Sequence, residues 1–205
     1  VTSENFSKIP GSPIAYWVSE RFLNSFSFET IYKKSTSASQ NVTGNNDKYL
    51  RFFWEIPYNT IGKDKKWLTY AKGGQYRKWY GNMIEVINWT PEARENYRIG
   101  YASQIIPEEY WYKKGITWGL ITSNLPSFRV LPINSTFDKG GSSIFINNDN
   151  EYNFILSLLN SKIFFYIAKI FNPTLNFQVK DIRNVPIIID EQYMESVIGL
   201  TNQNI

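Results

Sequence analysis

Lys72-Gly73-Gly74-Gln75-Tyr76-Arg77-Lys78-Trp79-Tyr80-Gly81-Asn82 places three basic side chains, three aromatic rings and three glycines within eleven residues. Arg and Lys suit phosphate groups, while nucleobases ask for planar faces or paired hydrogen-bond donors. Adjacent glycines open backbone angles that side-chained residues avoid and let a main chain approach a ligand closely. The same string also suits a hairpin whose aromatics reach back into a core and whose cations are simply solvated. A second group, Thr43-Gly44-Asn45-Asn46-Asp47-Lys48, offers small polar side chains just before an apolar run. It can present amides to a base edge or form an ordinary turn. Gly140-Gly141 is likewise either a backbone phosphate cradle or a tight turn.

Composition narrows the chemistry. With 205 residues, 42% hydrophobic and 20% charged, the chain has the makings of a folded domain with a real core. It has no cysteine and no histidine. That excludes disulfides, thiolate metal sites, a cysteine nucleophile and any Ser-His-Asp arrangement, and it removes the commonest general base. Neither a metal site nor a catalytic set is expected. No run reaches the roughly 20 apolar residues that span a bilayer, and the first residues do not read as a signal peptide, so a cytoplasmic protein without a membrane partner is expected. The net charge of +4 is unevenly spread. Eight cations between Lys48 and Tyr80 face only Glu55 and Asp64, which leaves the rest of the chain slightly acidic. A concentrated positive region on a near-neutral body is the footprint of a polyanion partner. It also gives a neutral sugar no reason to bind, despite 17% aromatics.

The elements that must carry these groups read as a mixed α+β fold, a twisted, mostly antiparallel sheet with flanking helices. Ser12 and Pro13 suit a helix start, and Ile14, Trp17, Val18 and Phe22 share one face. Residues 1–34 are read as an N-terminal helical segment packing on a domain over 35–205. Tyr16, Trp17, Phe52, Phe53 and Trp54 are assigned to the core. Tyr49–Ile56 reads as a strand, 58–70 as a polar connection and Ile84–Trp89 as a second strand, followed by a helix from Pro91. Gly115–Thr122, Phe128–Ile133 and Ser143–Ile146 read as further strands. From Asn150 to Ile170, apolar residues at helical spacing predict one long helix, with Asn148 and Glu151 as a capping box. Asn172-Pro173 ends it, and 176–186 is loop, short strand or turn.

Taken together, Ile9–Trp17, Thr43–Lys48, Lys72–Asn82, Gly115–Trp118, and Leu159–Lys162 through Asn172–Val179 occur in the order seen in the PglX-type adenine-specific DNA methyltransferases of BREX phage-defence systems. The later part also resembles the specificity domains of TaqI-like and type IIG restriction-modification enzymes. The resemblance implies a C-terminal target-recognition region whose partners are double-stranded DNA, the N-terminal methyltransferase domain of a parent chain and other BREX proteins. S-adenosylmethionine belongs to that methyltransferase domain. Asn172-Pro173-Thr174-Leu175 shares only Asn-Pro with the family's Asn-Pro-Pro-Tyr motif, so no catalysis is expected from this fragment itself. Because a methyltransferase unstacks its target adenine, sequence choice falls to contacts with neighbouring base pairs. The resemblance therefore assigns Lys72, Arg77 and Lys78 to phosphate or guanine contacts, and Gln75 and Asn82 to adenine reading. Gly73 and Gly74 would allow close approach, Trp79 and Tyr80 would brace the loop, and Asn45, Asn46, Asp47 and Lys48 would form a second contact loop. The alternative is a docking module within a phage-defence complex, with no DNA readout of its own.

Overall fold

Short apolar runs punctuated by turn residues assemble into two four-stranded sheets rather than one. The structure, a computed structural model, describes residues 9–13, 17–121, 125–171 and 176–205. In chain order come helix α1 (Glu20–Ser25), α2 (Ile31–Lys34), strand β1 (Ser35–Thr36), α3 (Asn46–Tyr49), β2 (Leu50–Phe52), β3 (Trp67–Ala71), β4 (Glu85–Asn88) and α4 (Pro91–Ile99). Then follow β5 (Gly115–Trp118), β6 (Phe128–Leu131), β7 (Ser135–Phe137), β8 (Ser143–Ile146), α5 (Asp149–Leu159), α6 (Lys162–Phe171), α7 (Val179–Arg183) and α8 (Glu191–Asn204). One sheet runs β1-β8-β5-β6 and the other β2-β4-β3-β7. Every pairing is antiparallel except β3 with β7, so the α+β, mostly antiparallel reading holds.

Strand alternation explains how two sheets share an interior. From the first sheet, Ile116, Trp118, Phe128 and Ile144 meet Tyr152, Ile155, Leu156, Leu159, Phe164 and Ile167 of α5 and α6. From the same sheet, Leu131 and Phe145 join Leu68, Tyr70 and Ile87 of the second sheet, with Trp89, Tyr97 and Phe137. The helical layer thus covers one sheet, and the second sheet adjoins its other side.

Several local expectations need correction. The first described helix starts at Glu20, with the Ser19 hydroxyl accepting from the Phe22 N–H at 3.2 Å, not at Ser12-Pro13. Ser12 sits at φ +47°, and Ser19 followed by an acidic first-turn residue is the better cap. Ile14 of the expected face and Tyr16 of the expected core lie outside the described residues, as does the expected terminator Asn172-Pro173. Trp17 is 67% exposed, and Phe52, Phe53 and Trp54 are exposed as well, so none of the four belongs to the core. The 58–70 connection hides β3, whose Trp67, Leu68, Tyr70 and Ala71 are buried. The strand expected over Tyr49–Ile56 keeps only Leu50–Phe52, because α3 precedes it and a 3-10 turn takes Phe53–Glu55.

The single helix expected over 150–170 is two, bent by 71°. Asn160 and Ser161 cause the break. The Asn160 amide turns back to β6, accepting from the Phe128 N–H and donating to its carbonyl, while the Ser161 hydroxyl accepts from the Phe164 N–H. Asn148 caps α5 through the Asn150 N–H, but Glu151 pairs with Lys34 at 3.0 Å instead of closing a capping box. Among the described residues no single helix is long and apolar enough to cross a membrane.

Candidate nucleic-acid interface

The Lys72–Asn82 string is the connection between antiparallel β3 and β4. Unlike a free loop, it folds back on the edge of the other sheet. The Trp79 N–H donates to the Phe128 carbonyl and the Val130 N–H donates to the Trp79 carbonyl, both at 2.8 Å. These bonds hold Trp79 at φ +72°, a conformation that a bulky residue avoids unless its surroundings impose it. Two residues earlier, the Arg77 N–H donates to the Ser127 hydroxyl at 3.0 Å. One connection therefore ties both sheets together.

Beneath it lies Arg129, which is 1% exposed. Its guanidinium donates to the Gly73 carbonyl at 2.7 Å. Burial first, and then the neighbouring charge of Arg77, pulls its pKa down to about 10. It is still a cation at neutral pH. A buried arginine in a β-strand passes for an exposed position in a sequence, so nothing in the alternation of Phe128-Arg129-Val130-Leu131 flagged it.

The glycines serve the fold of the loop more than an approaching ligand. Gly73 sits at φ +83°, and a Cβ there would lie 2.5 Å from the Gly140 carbonyl oxygen. The pair Gly140-Gly141 belongs to a tight turn capped by Asp138, whose carboxylate accepts from the Gly141 N–H at 3.0 Å. Gly81, at φ +99°, lies under the Arg77 side chain, where a Cβ would come 2.6 Å from Cδ.

Each expected contact residue can now be placed. Gln75 and Arg77 are exposed, and among the described residues the Arg77 guanidinium enters no ion pair. Gly74 is exposed beside the Asn82 side chain. Asn82 donates to the Gln75 carbonyl at 2.7 Å, which closes the loop on itself. Lys72 pairs with Glu85 at 3.2 Å. Lys78 points inward: its Nζ donates to the Asn160 carbonyl at 2.6 Å and sits 4.8 Å from the centre of the Phe165 ring. In the second group, Asn45 caps α3 by accepting from the Lys48 N–H, and Asn46 accepts from the Thr43 hydroxyl. All four residues from Asn45 to Lys48 are exposed.

The two groups share one surface. A cleft of about 500 Å³ is lined by Gly73, Gly74, Gln75, Arg77 and Asn82 together with Lys72 and Glu85. A second, of about 360 Å³, is lined by Asn46, Asp47 and Arg51 and again by Lys72 and Glu85. The Lys72–Glu85 ion pair is the common wall. Lys72 and Arg77 on one side and Arg51 on the other thus flank the paired carboxylate of Glu85, and, with Asp47 and Glu55 in the second lining, cations and carboxylates balance.

No family model matches the chain. It is 37% identical over 194 residues to an adenine-specific methyltransferase BrxX of Escherichia coli O9:H4 (strain HS), a match that covers 90% of this chain and 16% of that protein. It is 33% identical over 214 residues to an adenine-specific methyltransferase PglX of Lacticaseibacillus casei (strain Zhang), covering 96% of this chain and 18% of that one. The chain therefore spans less than a fifth of the length of these curated relatives.

Proposed function

We propose that this chain is the target-recognition region of an adenine-specific DNA methyltransferase and that its β3–β4 connection lies against duplex DNA. The observation that carries the reading is the shared Lys72–Glu85 wall, which joins two separately identified groups of polar and basic residues into one surface. Similarity to two adenine-specific methyltransferases over nearly the whole chain supports DNA as the partner. Arg77 and Gln75 are the exposed readers on a pre-ordered loop, with Asn46, Asp47 and Lys48 as the neighbouring contact group. Lys78 and Asn82 hold the loop in shape, and Lys72 orients Glu85.

Methyl transfer and S-adenosylmethionine fall to the remainder of such an enzyme. A mixed-sequence duplex titrated across a range of salt tests the reading. Affinity is expected to fall steeply, with a log–log slope of roughly 0.9 per phosphate contact. A flat salt response, or no binding at low salt, would remove DNA as the partner.

One observation favours a second reading, attachment to other phage-defence proteins. An apolar groove of about 560 Å³ runs between α1, α5, α6 and α8, lined by Phe22, Phe154, Leu158, Ile163, Ile167 and Val197. Salt-insensitive binding to a protein, with no binding to DNA, would support that reading instead.

A further inference from the structure

Four large aromatic side chains, Phe52, Phe53, Trp54 and Tyr58, stand exposed within seven residues of β2 and the turn after it. Such a cluster on a protein surface normally marks a contact site. The Phe52 and Trp54 rings stack with centroids 4.7 Å apart and planes 8° from parallel, and Phe53 meets Trp54 edge-on at 5.1 Å. The arrangement is fixed from below: the Phe52 N–H donates to the Glu55 carboxylate at 2.6 Å, and Phe52 pairs with Glu85 across the β2–β4 ladder. Phe52 also lines the cleft where Arg51 and Lys72 stand among the carboxylates of Asp47, Glu55 and Glu85, the last paired with Lys72.

We propose that Phe52 and Trp54 form a stacking platform for a single unpaired nucleobase at the edge of the duplex-binding surface. The inference rests on the DNA reading above and adds a site to it. An apolar protein partner gains nothing from the cations beside the rings. A nucleotide matches both features, since its base stacks on an aromatic face and its phosphate meets Arg51 or Lys72. A base within an intact duplex offers its faces only to its neighbours in the stack. The platform is therefore available only to a base released at a bulge, gap or flipped position.

The test compares two probes bound by the full 205-residue chain, a short paired duplex and the same duplex carrying one bulged adenine. The bulged probe is expected to bind more tightly by roughly five- to a hundredfold, the range that stacking one base on an aromatic side chain supplies. Trp54→Ala should bring the ratio between the probes to about one, and Trp54→Phe should retain part of it. Because Trp54 is 61% exposed, the substitution leaves the core intact, which an unchanged melting temperature verifies. A paired duplex that binds with no preference for the bulge overturns the platform alone. So does a preference that survives Trp54→Ala, or an equal loss of both probes in that variant. Absence of binding to either probe overturns the DNA reading and the platform together.

Discussion

Lys78 Nζ reaches the main-chain carbonyl of Asn160 at 2.6 Å, and Asn160 stands where α5 and α6 turn by 71°. The basic connection is thereby anchored to the helical layer as well as to the edge of β6. Asn160 uses its side chain for Phe128 and its carbonyl for Lys78, so one residue sets both the helix break and the seat of the loop.

Lys78→Met retains an unbranched stem near Phe165 but loses the charged hydrogen bond. Hydrogen bonds to charged groups contribute about 1.5–3 kcal/mol, and a loss near the lower end is expected at this half-buried position. Urea unfolding should show that loss, while the salt slope of duplex binding stays parallel to the parent protein. A slope shallower by a full unit would return Lys78 to the phosphate contacts.

Arg77→Ala should do the reverse. The side chain is exposed and packs on Gly81, so stability should change by no more than about 0.5 kcal/mol. Duplex affinity or sequence preference should fall by about 1–3 kcal/mol if the guanidinium reads a base, or the salt slope by about one unit if it meets a phosphate. Titration of labelled duplexes at two salt concentrations separates these outcomes.

Gly73→Ala asks an L-residue to adopt φ +83° and sets its Cβ against the Gly140 carbonyl. The backbone conformation alone costs about 1–2 kcal/mol, and the collision adds to it. Melting by circular dichroism is expected to show a clear drop, with weaker duplex binding as the loop loses its seat on the 139–141 turn.

Burial raises the Asp138 pKa above its ordinary value, outweighing the opposing pull of the Gly141 N–H and the Lys72 charge. A carboxyl raised in the folded state contributes stability that is fully present below its unfolded pKa and is lost as pH rises through the folded value. Asp138→Asn keeps an acceptor for the Gly141 N–H and removes the titration. The variant should gain on the parent protein between acid and neutral pH, read from unfolding curves at each end of that window. A gap that does not change with pH would mean that Asp138 titrates normally.

The sequence was most legible where period and punctuation agreed. Thr90-Pro91 marked the start of α4, with the Thr90 hydroxyl capping the Ala93 N–H, and β5, β6 and β8 lie where β-rich runs pointed. It misled where tertiary contacts overrode local pattern. Asn160 looked like one more residue of a long helix because its partner, Phe128, is 32 residues away. β3 was hidden by the lysines before it, and the second sheet by the parallel pairing of Ser135–Phe137 with Thr69–Ala71, which no short-range signal encodes. The exposed rings at 52–54 resembled core because apolar neighbours say nothing about which side faces water. For the candidate interface, residue types marked the two groups, but only folding showed that Lys72 and Glu85 join them and that Lys78 turns inward.

Photo-crosslinking tests the central claim most directly. A benzophenone amino acid replaces Tyr76, exposed between Gln75 and Arg77, or Tyr193, exposed on α8 in the helical layer, and each variant is irradiated with end-labelled duplex DNA. The account expects covalent adducts from position 76 and few from position 193. Adducts from 193 but not from 76 would place DNA on the helical side and contradict it.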